Sequence, residues 1–195
     1  LNANKRVEAE MENKKIFLMV VLIINIFSVI YAKTIDFVEP TDVYKISEIN
    51  NLWNGGATFS VWVRPLTADN TGRIAFQEND WELFTEEIQR NHISLIFRKN
   101  FSVSPLVISM NSELPKESWS HLSVSYDLND LPTIYLNGEE MEYSIINEAK
   151  GNPVNGKSTE LLIGNNNSYN NFDGLMKDII IVSEVLSSAE ISDLM

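Results

Sequence analysis

The sequence contains no cysteine, so disulfide bonds are excluded and no thiolate is present to bind a metal ion. It contains two histidines, His92 and His121, so a zinc site is not expected. A chain without disulfides must rely on its hydrophobic core, with or without the help of another metal ion. Disulfide-rich scaffolds are therefore excluded.

Basic residues are also scarce. The chain has 15 Lys and Arg against 27 Asp and Glu, for a formal net charge of −12. Residues 33–195 alone carry 11 basic and 24 acidic side chains, a net charge of −13. Such a surface repels nucleic acids and anionic membranes, so neither is expected as a partner.

One long apolar run is present, from Ile16 to Ile30, and it is preceded by the basic pair Lys14 and Lys15. The small residue Ala32 follows at the position expected for signal cleavage. The run is shorter than the roughly 20 residues that span a bilayer. Residues 11–32 are therefore predicted to be a helical signal peptide, with an uncleaved anchor as the alternative.

The chain divides into three parts on this basis. Residues 1–10 are charged, lack an apolar pattern and are predicted to lie outside the folded unit. Residues 33–195 are long enough for one domain with a sizeable core. After cleavage no stable membrane span is expected, which predicts a secreted or cell-surface protein.

Helical periodicity is absent until Ser187, where Glu190 three residues later predicts a capped helix start. Short segments of alternating apolar and polar residues fill the domain instead, separated by turn residues. In the segment 57–64, Phe59, Val61 and Val63 alternate with polar neighbours, and Asn137-Gly138 is typical of a tight hairpin. The pattern predicts an all-β fold of two antiparallel sheets.

Five segments in this order resemble the concanavalin A-like lectin/glucanase superfamily, in its laminin G-like branch. They are ATFSVWVRP at 57–65, WSHLSVSYD at 119–127, IYLNG at 134–138, LIG at 162–164 and the closing FDGLMKDIII with LSSAEI at 172–181 and 186–191. The resemblance covers roughly residues 33–195. It implies a jelly-roll sandwich, in which Trp62, Trp119 and Tyr126 are interpreted as large fillers of the core.

The resemblance also implies a bound Ca²⁺ in many members, held by oxygen ligands near strand ends. Asp36, Asp173 and Asp178 are the candidate ligands, with Asn165 as a further donor. Lys177 stands where the family commonly has an aspartate. The alternative is that these acids are turn formers and solvated surface charges.

A sugar site is expected where amide side chains surround an aromatic ring in a loop carried by a rigid sandwich. Asn165, Asn167 and Tyr169 provide that combination, and Trp81 is a further candidate platform. The alternative is a plain polar turn, because Asn and Ser are common in turns.

An enzymatic alternative depends on Glu78, Asp80 and Glu82, which would project from one face of an extended strand. This spacing resembles the catalytic strand of lichenase-type β-glucanases. The match would make Glu78 the nucleophile, Asp80 the helper and Glu82 the acid/base. Asn79 replaces the apolar residue expected there, and the other segments follow the non-catalytic branch.

The leading prediction is thus a secreted, non-catalytic module that binds a glycan or an extracellular glycoprotein through strand-end loops. The first alternative is a structural or adhesive module without a small ligand, and the second is a β-glucan hydrolase. The fold hosts all three roles, so the fold alone does not choose among them. The sequence leaves the oligomeric state open.

Overall fold

The computed structural model describes residues 18–23, 26–31, 34–37, 42–49, 51–67, 72–89, 92–164 and 172–195. Within these ranges the chain forms strands in two antiparallel sheets and one short helix. The strands are β1 (Leu18–Ile23), β2 (Ile26–Tyr31), β3 (Ile35–Phe37), β4 (Val43–Ile46), β5 (Ala57–Pro65), β6 (Arg73–Gln77), β7 (Trp81–Gln89), β8 (His92–Lys99), β9 (Leu106–Met110), β10 (Ser120–Tyr126), β11 (Thr133–Leu136), β12 (Glu139–Met141), β13 (Tyr143–Asn147), β14 (Leu161–Gly164) and β15 (Gly174–Val182). The predicted all-β, two-sheet antiparallel jelly roll is confirmed.

The first sheet has the strand order β1-β2-β15-β5-β10-β11-β12, and β3 also pairs with β15. The second sheet has the order β13-β9-β8-β7-β6-β14-β4. Neighbouring strands are often distant in sequence, as expected for a jelly roll. The β12 and β13 strands follow each other closely in the chain but lie at the edges of different sheets.

The core lies between the two sheets and follows the predicted alternation. Phe59, Val61 and Val63 of β5 are fully buried, in the same cluster as residues of the second sheet. Aromatic rings join the layers at the centre, where the ring centroids of Phe97 on β8 and Tyr126 on β10 lie 5.8 Å apart in an edge-to-face arrangement. Such pairs contribute about 0.5–1.5 kcal/mol each beyond the area they bury.

Part of the outer face of the first sheet is covered by the C-terminal segment. Thr58 on β5 and Ser125 on β10 join their hydroxyls at 2.9 Å, and Leu186 N donates to Thr58 Oγ1 at 3.0 Å. The helix α1 (Ser188–Ser192) places the fully buried Ile191 over Tyr135 and other apolar side chains of this face. Small hydroxyl side chains on the sheet allow this third layer to approach closely.

The predicted start of that helix is confirmed. Ser187 is the N-cap and accepts a hydrogen bond from Glu190 N, while Ser187 N donates to Glu190 Oε2 at 2.8 Å. This reciprocal pair satisfies two backbone donors that a helix start otherwise leaves unpaired.

The apolar segment predicted as a helical signal peptide has a different conformation. Its described part forms β1 and β2, and β2 pairs with β15 from Tyr31↔Ile179 to Ser28↔Val182. The helix prediction is therefore wrong for residues 18–23 and 26–31. Val and Ile are enriched in this segment, and these branched residues favour strands where an open sheet edge is available. Cleavage after Ala32 stays a prediction. Within the described ranges, no helix has the length and apolarity needed to cross a membrane.

Two glycine-dependent features fix the strand connections. Asn137 and Gly138 have φ values of 52° and 81°, so they form the predicted tight hairpin between β11 and β12. Gly164 has a φ of 83°, and a Cβ there would lie 1.9 Å from Cε1 of Phe37. The backbone at Gly164 therefore lies too close to the Phe37 ring for any larger residue.

Candidate functional site

A tight turn of residues 78–80 joins β6 to β7 at one end of the second sheet. Asp80 N donates to Gln77 O at 3.0 Å, and Asn79 adopts a φ of 60°, which asparagine tolerates better than most residues. A groove of about 290 Å³ opens beside this turn. Its lining is rich in planar polar and charged side chains: Arg73, Phe76, Gln77, Glu78, Asn79, Asp80, Trp81, Glu82, Arg98 and Asn100.

The structure does not place the three acidic residues on one strand face. Glu78 and Asp80 belong to the turn, and β7 begins at Trp81, so Glu82 alone lies within a strand. The prediction of a shared extended face is wrong, because the positive φ of Asn79 reverses the chain between the first two acids. The geometry expected for the catalytic strand is absent at these positions.

Glu82 lies between two arginines on the outer face of the second sheet. Arg73 Nε is 3.3 Å from Glu82 Oε2, and Arg98 Nη1 is 3.4 Å from Glu82 Oε1. The Arg73 guanidinium also lies over the Phe76 ring, 5.1 Å from its centroid. Each oxygen of this carboxylate is therefore engaged by a different cation.

Asp80 forms a buried ion pair with Lys99 at the end of β8. Their side chains are 2% and 1% exposed, and Lys99 Nζ also donates to the carbonyl of Val154. Asn100 N donates to Asp80 O at 2.8 Å. These contacts join the turn, β8 and the 150–158 segment, so they hold the end of the groove in one arrangement.

Gln77 adds a second buried polar contact beneath the turn. Its Nε2 donates to Ile49 O at 2.6 Å and to Ser158 O at 2.8 Å, and its Oε1 accepts from Trp81 Nε1 at 3.3 Å. Buried hydrogen bonds of Gln77 thus connect the base of the turn to two neighbouring segments of the chain.

Trp81 does not present a ring to the solvent. It is 2% exposed and packs edge-to-face on Trp53, with 5.0 Å between ring centroids. The prediction of Trp81 as a sugar platform is therefore wrong. Trp81, Leu83 and Thr85 alternate with Glu82, which places the indole on the core side of β7.

The three aspartates proposed for calcium lie at two places along β15. Asp36 on β3 is opposite Leu175, and Asp173 is two residues from that position, so these two are close along the sheet. Asp178 lies in a bulge five residues beyond Asp173, roughly 15 Å along the strand. The prediction that all three aspartates share one calcium site is therefore wrong. Among the described residues, no group of three or more His, Cys, Asp or Glu side chains is arranged to hold a metal ion.

The Asn-rich loop of residues 165–171 lies outside the described residues. The predicted ligand-binding roles of Asn165, Asn167 and Tyr169 remain predictions. The neighbouring strand β14 ends at Gly164, which pairs with Val43 of β4 at the edge of the second sheet.

Two tryptophans interpreted as core fillers lie on the outer face of the first sheet instead. Trp62 and Trp119 are half-buried, and Lys177 Nζ lies 5.2 Å and 5.0 Å from their ring centroids. The core interpretation is wrong for both, while Tyr126 is buried as expected. Trp62 shares its strand face with Ser60 and Arg64, a signal already present in the sequence.

His121 is buried beside these residues. Its Nε2 lies 2.7 Å from Ser60 Oγ, and burial lowers the pKa of the imidazole to about 4, an effect that the nearby Asp178 charge partly offsets. A serine paired with a neutral histidine is a chemical pattern of nucleophiles. Both side chains are fully buried and line none of the grooves described, so the pair has a packing role.

A laminin G-type family model, described as the concanavalin A-like lectin/glucanase superfamily, matches residues 39–192. No curated protein matches the chain.

Several solved structures share the fold at low sequence identity. A SAP-like pentraxin from Limulus polyphemus is 17% identical with a TM-score of 0.61, over 82% of this chain and 79% of the pentraxin chain. The binding domain of botulinum neurotoxin serotype D is 17% identical with a TM-score of 0.61, over 91% of this chain and 45% of the neurotoxin domain. This chain thus spans less than half of that domain.

A third similar structure is domain 4 of AbnA, an extracellular arabinanase from Geobacillus stearothermophilus, solved in complex with arabinotriose. It is 17% identical with a TM-score of 0.54, over 84% of this chain and 87% of that one. At such identity these likenesses show the jelly-roll fold that the described strands form.

Proposed function

Because the chain belongs to the concanavalin A-like lectin/glucanase superfamily, we propose that it is an exported, non-catalytic module that binds a glycan. The observation that carries this proposal is the groove beside the β6–β7 turn. It collects amide, carboxylate and guanidinium groups on a rigid sheet, and such groups hydrogen-bond to hydroxyl-rich ligands.

The groove differs from the site first predicted, which was the 165–171 loop. Asn79 at the tip of the turn and Asn100 after β8 provide amide side chains, and the buried Asp80–Lys99 pair fixes the backbone between them. A ligand meets a site that is already formed, so little conformational entropy is lost on binding.

The ion pairs formed by the carboxylates of the groove support glycan binding rather than glycan hydrolysis. A glycosidase needs one acid to donate a proton and a second to act as base or nucleophile. Asp80 is paired with Lys99, and Glu82 is paired with two arginines. Similar structures include binding domains, and one was solved with an arabino-oligosaccharide. That likeness supports a neutral oligosaccharide as the first ligand to test.

The experiment is a glycan array probed with the full chain and with single variants. Asn79→Gly removes an amide while keeping the positive φ, and Asn100→Ala removes a second. Each loss is expected to weaken binding roughly three- to tenfold, the contribution of one or two neutral hydrogen bonds. Asn111→Ala, at the opposite end of β8 and β9, is the matched control and is expected to bind normally.

The Tyr169→Ala variant separates the groove from the loop. The proposal predicts normal binding by this variant. Loss of binding in Tyr169→Ala with normal binding by Asn79→Gly would place the site in the loop and contradict the groove. Absence of binding by the unmutated protein to every oligosaccharide would overturn the glycan proposal.

Calcium is proposed as a separate feature of Asp36 and Asp173, independent of the groove. If it binds there, excess EDTA lowers the melting temperature and added Ca²⁺ restores it. An unchanged transition under chelation removes calcium from the account.

The adhesive alternative has one observation in its favour. Strand β13 lies at the edge of the second sheet, and its Ile145 and Ile146 are 44% and 65% exposed. An unpaired strand edge with apolar side chains can pair with an extended strand of a partner protein. Ile146→Lys would abolish such pairing without changing glycan binding, so the array with this variant distinguishes the two functions.

A further inference from the structure

Glu82 has an unusual position for a surface acid in a binding groove. It is 22% exposed, and its two oxygens face Arg73 and Arg98, whose side chains are 25% and 45% exposed. Arg73 is held further by the Phe76 ring beneath it. The carboxylate is therefore fixed between both guanidinium groups of the groove.

The charges around the groove balance. The cations Arg73, Arg98 and Lys99 are matched by an equal number of anions, Glu78, Asp80 and Glu82. Glu78 is exposed at the turn, and the whole chain carries a net charge of −12. An approaching anion thus meets a repulsive long-range field and a groove whose guanidinium groups are already engaged.

We propose that Glu82 determines the ligand class of the groove by selecting neutral glycans over glycans that carry a carboxylate. This inference rests on the proposed glycan function and adds the substrate class to it. A ligand carboxylate must compete with Glu82 for the arginines. If it displaced Glu82, that half-buried anion would lose its partners, which opposes binding.

Replacing Glu82 with Gln keeps the shape of the side chain and removes its charge. The ion pair of Arg98 is then lost, so its guanidinium can meet an anionic ligand, and arginine binds carboxylates through paired hydrogen bonds. The substitution therefore converts the groove from one that rejects carboxylated sugars to one that accepts them.

The experiment uses an array of neutral oligosaccharides together with oligogalacturonates, each galacturonate present as its neutral methyl ester and as the free acid. The unmutated protein is expected to bind neutral ligands and to bind each free acid more weakly than its ester. Glu82→Gln is expected to gain roughly tenfold or more in affinity for the free acids, with a gain that decreases as salt is added.

Two further variants test whether the gain in affinity for free acids arises in the groove. Glu86→Gln makes the same charge change four residues along β7, at an exposed position. It is expected to leave the selectivity unchanged, so an equal gain in this control would overturn the inference. The double variant Glu82→Gln/Arg98→Gln is expected to lose the gain, and its retention would also overturn it.

The outcomes separate this inference from the function on which it rests. If the unmutated protein binds neutral sugars and free acids equally, the selectivity role of Glu82 fails while glycan binding stands. If Glu82→Gln has an unchanged melting temperature and gains no affinity for free acids, the proposed selectivity role of Glu82 also fails. If neither protein binds any sugar, both proposals fail together.

Discussion

The outer faces of the two sheets differ in what covers them. On the first sheet, the C-terminal segment covers part of the outer face, and Ser60, Ser123 and His121 on that face are fully buried. On the second sheet, Glu82 and Arg98 remain at the surface beside an open groove. The groove of the second sheet therefore gives a ligand an access that the buried polar side chains of the first sheet do not give.

Burial also separates two polar clusters of the molecule. His121 and Ser60 form a short hydrogen bond on the first sheet, where both side chains are fully buried. Glu82 makes longer ion pairs on the second sheet, where a ligand can compete for its partners. Solvent access therefore distinguishes the buried pair from the groove residues for which we propose a binding role.

The largest expected effect comes from breaking the buried pair under the groove. Lys99→Met leaves the Asp80 carboxylate buried without its partner, which is expected to lower the free energy of unfolding by about 3–5 kcal/mol. Urea denaturation measures the change. The double variant Lys99→Met/Asp80→Leu is expected to recover much of the loss, and no recovery would show that the pair is not the cause.

A smaller loss of stability is expected when a buried side chain is removed from α1, which packs on the first sheet. Ile191→Ala removes a fully buried side chain from α1 and is expected to cost about 3 kcal/mol. Glycan binding by the second sheet is expected to persist. Ile146→Ala, at an exposed position of β13, is the control and is expected to change stability by less than about 0.5 kcal/mol. Equal losses in both variants would contradict the buried third layer.

The next prediction concerns the pH dependence of stability that arises from the buried His121 on the first sheet. Burial lowers the pKa of His121 from 6.5 to about 4, so the unfolded chain binds a proton on this residue at a higher pH than the folded chain does. Stability from this group is present above pH 6.5 and is lost as the pH falls toward 4, by up to about 3 kcal/mol. Carboxylates titrate in the same range, so the comparison is with His121→Gln.

The difference between the unfolding free energies of the two proteins isolates the histidine. It is expected to change between pH 6.5 and pH 4 and to be constant above that range. Parallel curves across the whole range would mean that His121 is accessible to protons in the folded protein.

The strands and the sandwich could be predicted because alternation and turn residues are local signals. Asn137-Gly138 defined a hairpin from two residues, and Ser187 with Glu190 defined a helix start. Strand β13 was not predicted, because its exposed Ile145 and Ile146 follow each other without alternation. The conformation of the apolar segment before residue 32 could not be predicted from its pattern. An unbroken apolar run has no periodicity, so the pattern does not distinguish a helix from a strand.

The groove could not be predicted because its residues come from three strands whose register is set by tertiary pairing. Arg98 reaches Glu82 because β8 pairs with β7 in one register, and Arg73 reaches it across a bulge in β6. The exposure of tryptophans was misjudged for a different reason. Trp81 lies on the same strand face as Leu83, which indicates burial, and Trp62 lies on the same face as Arg64, which indicates exposure. The alternation along the strand thus predicts the burial of these rings better than their aromatic character does.

The most direct test is an NMR titration of the ¹⁵N-labelled full chain with arabinotriose and with the strongest neutral ligand from the array. We predict that amide shifts concentrate on Asn79, Glu82 and Asn100 at the second sheet, while the amides of the buried Ser60 and Ser123 on the first sheet stay unchanged. Shifts confined to the 165–171 loop or to the first sheet would contradict the proposed groove.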